Sequence, residues 1–218
     1  MITFSDPDLE AIRAAVHDAE GITSGEIVPF VAIRSDRYDA ALLRGAALFS
    51  LLGAAALIAS GWSAGGWAAG WLHSPVVVVS LSIAAGGLGW LVAYSVPSVR
   101  RLLAGSSAMA TAVHRRALKA FVDEEVFDTR DRTGILLFVS LFERRIEVLG
   151  DAGINARVSP DDWADVVATV RDGIASGKTV EGLTEGIRAC GELLRRKGVE
   201  IRPDDDNELS DGLRVDLD

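Results

Sequence analysis

Two acidic residues stand beside glycine-containing turns at the ends of strand-like segments: Glu26 in Thr-Ser-Gly-Glu and Asp151 in Gly-Asp-Ala-Gly. Carboxylates placed this way offer oxygen ligands to a hard cation such as calcium, and Asp123 and Glu124 are acids that the fold could bring to them. The spacing matches no EF-hand loop, and the same residue types also build turns and caps, so both readings stand. Phosphatase chemistry would ask for more: a nucleophile or metal-bound water, and cations for the phosphoryl oxygens. Arg130, Arg132, Arg144 and Arg145 could supply charge, yet the sequence holds no Gly-rich phosphate loop, no histidine cluster and no cysteine beside an arginine. Ser140 and Thr133 have no base identifiable in the sequence. His17, His73 and His114 lie far apart with no ligand spacing, which suits structural roles.

The elements that must position these residues follow from periodicity. Leu9, Ile12 and Val16 recur at spacings of three and four, predicting an amphipathic helix over Pro7 to Ala19. Glu26 to Ile33 reads as a strand, and Pro29 within it argues for an edge position or a bulge. A helix over Ser107 to Val126 leads into Gly134 to Leu141, an almost continuous apolar run typical of a strand covered on both faces. A tight turn at Phe142, Glu143 and Arg144 returns the chain as an alternating strand, Arg145 to Gly150, making a hairpin at the centre of a small sheet. Ser159, Pro160, Asp161 and Asp162 form a helix start, followed by the stripe Trp163, Val166, Val167, Val170 and Ile174. Thr179 starts a last helix with Leu183, Ile187, Cys190 and Leu194 inward, ending at Arg195, Arg196, Lys197 and Gly198. Residues 202–218 are acidic and poor in apolar side chains, which predicts a mostly disordered tail.

Between the first strand and the second long helix the pattern changes. From Gly45 to Pro97 there is no Lys, Arg, Asp or Glu, a length of chain that cannot offer a polar face to water. Two segments, 42–61 and 76–96, each supply the roughly 20 apolar residues that span a bilayer core. Trp62, Trp67 and Trp71 lie in the turn that joins them and Trp90 sits near the far end, all suited to the headgroup interface. Arg44, Arg100 and Arg101 flank the spans, with Arg44 able to snorkel. Further basic residues, Arg34, Arg37, Arg115, Arg116 and Lys119, lie on the same side, and the turn has none. The expectation is a multi-pass protein of the cell (inner) membrane with both termini cytoplasmic. Gly53, Ala54 to Ala56, Gly86, Gly87 and Gly89 would allow close approach of the two helices or form the face of a homodimer.

The chain therefore divides into 1–41 and 98–201 as two parts of one aqueous domain, 42–97 as a membrane hairpin, and 202–218 as a tail. A helix and one strand cannot fold alone, so the two aqueous parts must combine. The fold class expected is α/β (α+β), a small mixed sheet packed by helices. Of 218 residues, 49% are hydrophobic, and the net charge of −9 lies outside the hairpin. An acidic aqueous part has no field to hold a polyanion, so nucleic acid is excluded as a partner. The lone Cys190 makes no internal disulfide, and the N-terminus has no basic start followed by an apolar run, so no cleavable signal is expected.

The order TSGEIVPFV after a first helix, RTGILLFVSLFERRIEVLGDAGI, a Trp-bearing SPDDWADVV and GKTVEGLTEGIRACGELL resembles the TPM domain family, and Asn207 to Asp211, NELSD, resembles the end of its bacterial members. The likeness covers nearly all of the aqueous part. It implies a compact α/β domain with a central sheet between helices, although many relatives carry a single terminal anchor instead of an inserted hairpin. Family members have been described as acid phosphatases and calcium binders, and others assemble or maintain membrane complexes. The resemblance thus implies either a non-catalytic module that binds membrane proteins at the bilayer, or a membrane-anchored, metal-dependent phosphatase using Glu26 and Asp151. The missing nucleophile favours the module.

Overall fold

The computed structural model describes residues 4–63, 74–201 and 207–216. They form two compact units, Met1–Ser35 with Ala110–Asp218, and Asp36–Met109. These boundaries differ from the expected 41/42 and 97/98, because residues 39–41 already belong to the first hairpin helix and a separate short helix follows the second.

The first unit is built on a four-stranded mixed sheet, an α+β arrangement, in the order β3-β2-β1-β4. Strands β1 (Glu26–Ala32) and β2 (Gly134–Ser140) are parallel and central, with Glu26 opposite Gly134 and Phe30 opposite Phe138. All seven residues of each are buried, which is why both read as continuous apolar runs. β3 (Arg145–Gly150) pairs antiparallel with β2, so the expected central hairpin has β3 at the sheet edge. The fourth strand, β4 (Arg214–Asp216), lies in the acidic tail and pairs in parallel with Phe30–Ala32 of β1.

That strand corrects the expectation of a disordered tail for residues 207–216. Composition counts the acids as solvated, but Leu209 and Leu213 pack on the core and Asp216 meets Arg116. Pro29 is then explained without an edge strand. Glu26 donates its N–H to Thr133, toward β2, and Ile33 donates to Asp216, toward β4. By alternation Pro29 faces the β4 side, beyond the end of that three-residue strand, where no ladder bond is lost.

Helices cover both faces. On one, Ile27, Val31, Ile135, Leu137 and Val139 pack against α1 (Asp6–Glu20), α7 (Ala164–Ala175) and α8 (Thr179–Arg196), which contribute Ile12, Val16, Val170, Leu183, Ile187 and Leu194. On the other, Val28, Phe30, Leu136 and Phe138 meet Val113, Ala117 and Ala120 of α5 (Ser106–Asp123), and Phe30 stacks on Phe138 at 5.4 Å. Ser5 and Asp8 form a capping box at the start of α1, and Ser159 and Asp162 do so before the turn that opens α7. A one-turn helix, α6 (Ala152–Asn155), follows β3.

The second unit is a helical hairpin, α2 (Asp39–Ser63) and α3 (Pro75–Ser95), followed by α4 (Pro97–Ala104). Both long helices are sufficiently long and apolar to cross a membrane. They approach closely because of glycine: a Cβ on Gly89 would lie 2.4 Å from the Gly45 carbonyl, and one on Gly53 would lie 2.9 Å from Ala85. Gly87, by contrast, faces open space.

Candidate functional site

Glu26 and Asp151 do come to the same end of the sheet, where parallel pairing sets Glu26 against Gly134 and Asp151 donates its N–H to the Gly134 carbonyl. Gly134 is required there, since a Cβ would sit 1.8 Å from the Val126 carbonyl. The two carboxylates nevertheless serve different partners. Asp151 Oδ1 accepts from the Ala152 N–H at 2.7 Å, capping α6, and from the Arg132 guanidinium at 3.0 Å, and Arg132 Nε lies 2.6 Å from the other carboxylate oxygen as an ion pair. Gly153 lets this turn close, because a Cβ would meet the Asp131 carbonyl at 2.3 Å.

Glu26 is almost fully buried and accepts the backbone N–H groups of Glu208 and Leu209, each at 3.4 Å. Glu208 in turn accepts the Arg130 N–H at 3.0 Å. The carboxylate that motif reading singled out as a cation ligand is thus a docking point for the tail. Amide donors and a guanidinium occupy the positions a cation would take, and among the described residues no group of three His, Cys, Asp or Glu side chains is placed to hold a metal. Calcium at Glu26 and Asp151 does not fit this donor set.

Motif reading missed Glu20. Its Oε1 accepts the Ile27 N–H at 2.9 Å, whereas Oε2 is shut from solvent with no hydrogen-bond partner. Burial pushes its pKa up to about 8, with the Glu26 and Asp211 charges adding to the rise. Glu20, Glu26, His17, Thr23, Ile201 and Asn207 line a hollow of about 190 Å³ at this end of the sheet. Glu20 sits at the end of an amphipathic helix, where an acid looks like any solvated residue. Only the return of the tail and of β1 closes it in.

Ser140 has a carboxylate neighbour that the sequence did not reveal. It donates to Glu143, which also accepts the Ser35 N–H at 2.9 Å, and its hydroxyl lies 2.8 Å from that of Ser35. Ser140 is 0% exposed, so this cluster ties the β2–β3 turn to the end of β1 and no substrate reaches it. Cys190 is likewise sealed, its thiol pushed up to about 12 by burial.

In the hairpin unit, Arg44 donates to the carbonyls of Leu103 and Ala104 at 2.6 and 3.2 Å, closing the end of α4. Arg101 reaches Ser98 Oγ at 3.3 Å. Trp90 stacks on Tyr94 at 5.3 Å, and Arg100 lies over the Tyr94 ring at 5.4 Å. Trp67 and Trp71 fall outside the described residues, and of Trp62 only the backbone, within α2, is described.

No family model matches the chain, and no curated protein matches it. Among solved structures, the NMR structure of BA42 protein from the psychrophilic bacterium Bizionia argentinensis is similar in fold. It has a TM-score of 0.59 at 19% identity, covering 98% of this chain and 96% of that one. At that identity the likeness concerns the fold alone.

Proposed function

We propose that this chain is an integral protein of the cell (inner) membrane. In this reading α2 and α3 lie in the bilayer, both termini are cytoplasmic, and the sheet unit is a TPM-like, non-catalytic module that binds or maintains other membrane proteins. The observation that carries the reading is the surface of the hairpin. Leu51, Ile58, Val76 and Ile83 are 68 to 75% exposed on helices that carry no charged residue from Gly45 to Pro97. Water does not tolerate an apolar surface of this extent, whereas lipid does. A homodimer through the open Gly87 face is compatible with this arrangement.

For the aqueous unit, the best support is that both candidate carboxylates already do structural work, Asp151 on Arg132 and α6, Glu26 on the tail amides. The phosphatase alternative needs a third ligand and a nucleophile at the same place. Two experiments test the proposal. In a Cys190→Ser background, Ala68→Cys and Glu185→Cys are probed with an impermeant maleimide on intact cells. Labelling of Ala68→Cys alone is expected, and labelling of Glu185→Cys alone would reverse the orientation. Titration of calcium, magnesium, manganese and zinc into the detergent-purified chain, beside a Glu26→Ala, Asp151→Ala variant, is expected to give no specific heat. Micromolar binding lost in the variant would restore the phosphatase reading.

A further inference from the structure

We propose that the junction of α3 and α4 binds the phosphoryl group of an anionic phospholipid, with Arg100 as the anchoring cation. This rests on the hairpin lying in the bilayer and adds a specific lipid to it. Arg100 is only 9% exposed, its Nε is buried with no hydrogen-bond partner, and no carboxylate or carbonyl among the described residues takes its guanidinium. An arginine stays charged under all ordinary conditions, and a buried charge calls for a counter-ion. The chain is poorly placed to supply one, because no Asp or Glu occurs between Asp39 and Asp123.

The neighbouring arginines underline the difference. Arg44 donates to the end of α4 and Arg101 meets Ser98, whereas Arg100 lies over the Tyr94 ring. The ladder Trp90, Tyr94, Arg100 runs from the end of α3 into α4, the arrangement of an aromatic belt at headgroup depth. A phosphodiester presents two acceptor oxygens matched to the guanidinium fork. A headgroup with net negative charge is preferred over a zwitterionic one, whose own ammonium competes for the phosphate.

The test uses the full chain purified from membranes and analysed by native mass spectrometry with equimolar phosphatidylglycerol and phosphatidylcholine. A separate arm adds inorganic phosphate as competitor. The wild type is expected to retain phosphatidylglycerol about tenfold over phosphatidylcholine. Arg100→Gln abolishes that preference, while Arg13→Gln, a charge removed from the aqueous unit, leaves it intact. If Arg100→Gln does not fold, Arg100→Lys carries the test: it keeps the charge, loses the fork, and must lower the preference about threefold or more. No preference in the wild type, equal loss in Arg13→Gln, or displacement by millimolar phosphate overturns the proposal. Sedimentation after alkaline carbonate treatment separates the two failures. A chain that stays in the membrane without lipid preference refutes the lipid site alone, and a chain that is extracted refutes the membrane reading too.

Discussion

Replacing Glu20 by glutamine is the most informative perturbation of the aqueous unit. In the folded chain this carboxyl titrates near pH 8, against 4.5 for a free glutamate, chiefly because burial penalises its charged form. Below pH 4.5 it is neutral in folded and unfolded chain alike. Above that the unfolded chain ionises freely while the folded chain keeps its proton, so the stability present in acid is lost as the pH climbs toward 8. The slope is about 1.4 kcal/mol per pH unit, with a ceiling of about 5 kcal/mol across the window. Water entering the hollow beside Glu20 relieves part of this, and about 2–3 kcal/mol is the expected share. Glutamine keeps the shape and the acceptor for the Ile27 N–H but carries no charge. Glu20→Gln should therefore match the wild type at pH 5 and exceed it by about 5–10 °C in melting temperature at pH 8. Thermal unfolding in detergent reads this through Trp163, which is buried in the core of the same unit. A variant less stable than the wild type at pH 8, or with the same pH slope, refutes the reasoning.

Asp151→Ala should cost about 1–2 kcal/mol through the lost cap and ion pair, and Asp151→Asn about half of that because asparagine still caps; chemical denaturation followed by circular dichroism measures both. A chain ending at Ile201 loses β4, the Arg116–Asp216 and Arg214–Glu124 ion pairs and the amide donors on Glu26, and should be less stable by about 2–4 kcal/mol; an unchanged melting temperature would mean that the tail is inert. Gly134→Ala, whose methyl would collide with the Val126 carbonyl, should destabilise the sheet unit by more than about 3 kcal/mol, read by the same melts. In the hairpin, Gly89→Ala should separate α2 from α3 and lower the temperature at which the detergent complex aggregates, whereas Gly87→Ala, into open space, should leave it unchanged.

Local chemistry was enough to read most elements. The spacing of Ile12 and Val16, the unbroken apolar runs of β1 and β2, and the Ser159-Pro160 helix start each encode an element within a few residues, and the observed bounds agree closely. The charge-free stretch likewise declares itself, as two helices long and apolar enough to cross a membrane. α4 was not legible: its eight residues are too few to establish a period, and packing against the hairpin defines it. The sheet order and β4 were beyond reach for a related reason. Arg-Val-Asp has no strand signature, and it becomes a strand only because β1 leaves a three-residue ledge and Arg116 meets Asp216.

The sequence by itself determined which residues could be carboxylate ligands and which segments are apolar, since these are properties of side-chain type and spacing. Tertiary structure decided what the carboxylates do. Parallel pairing brought Glu26 and Asp151 to one end of the sheet, then handed one to the tail amides and the other to Arg132. It also closed Glu20 into a hollow and left Arg100 buried without a counter-charge, and neither could be read locally. Burial and counter-charge depend on what distant segments bring to a side chain, and that information exists only once the chain has folded.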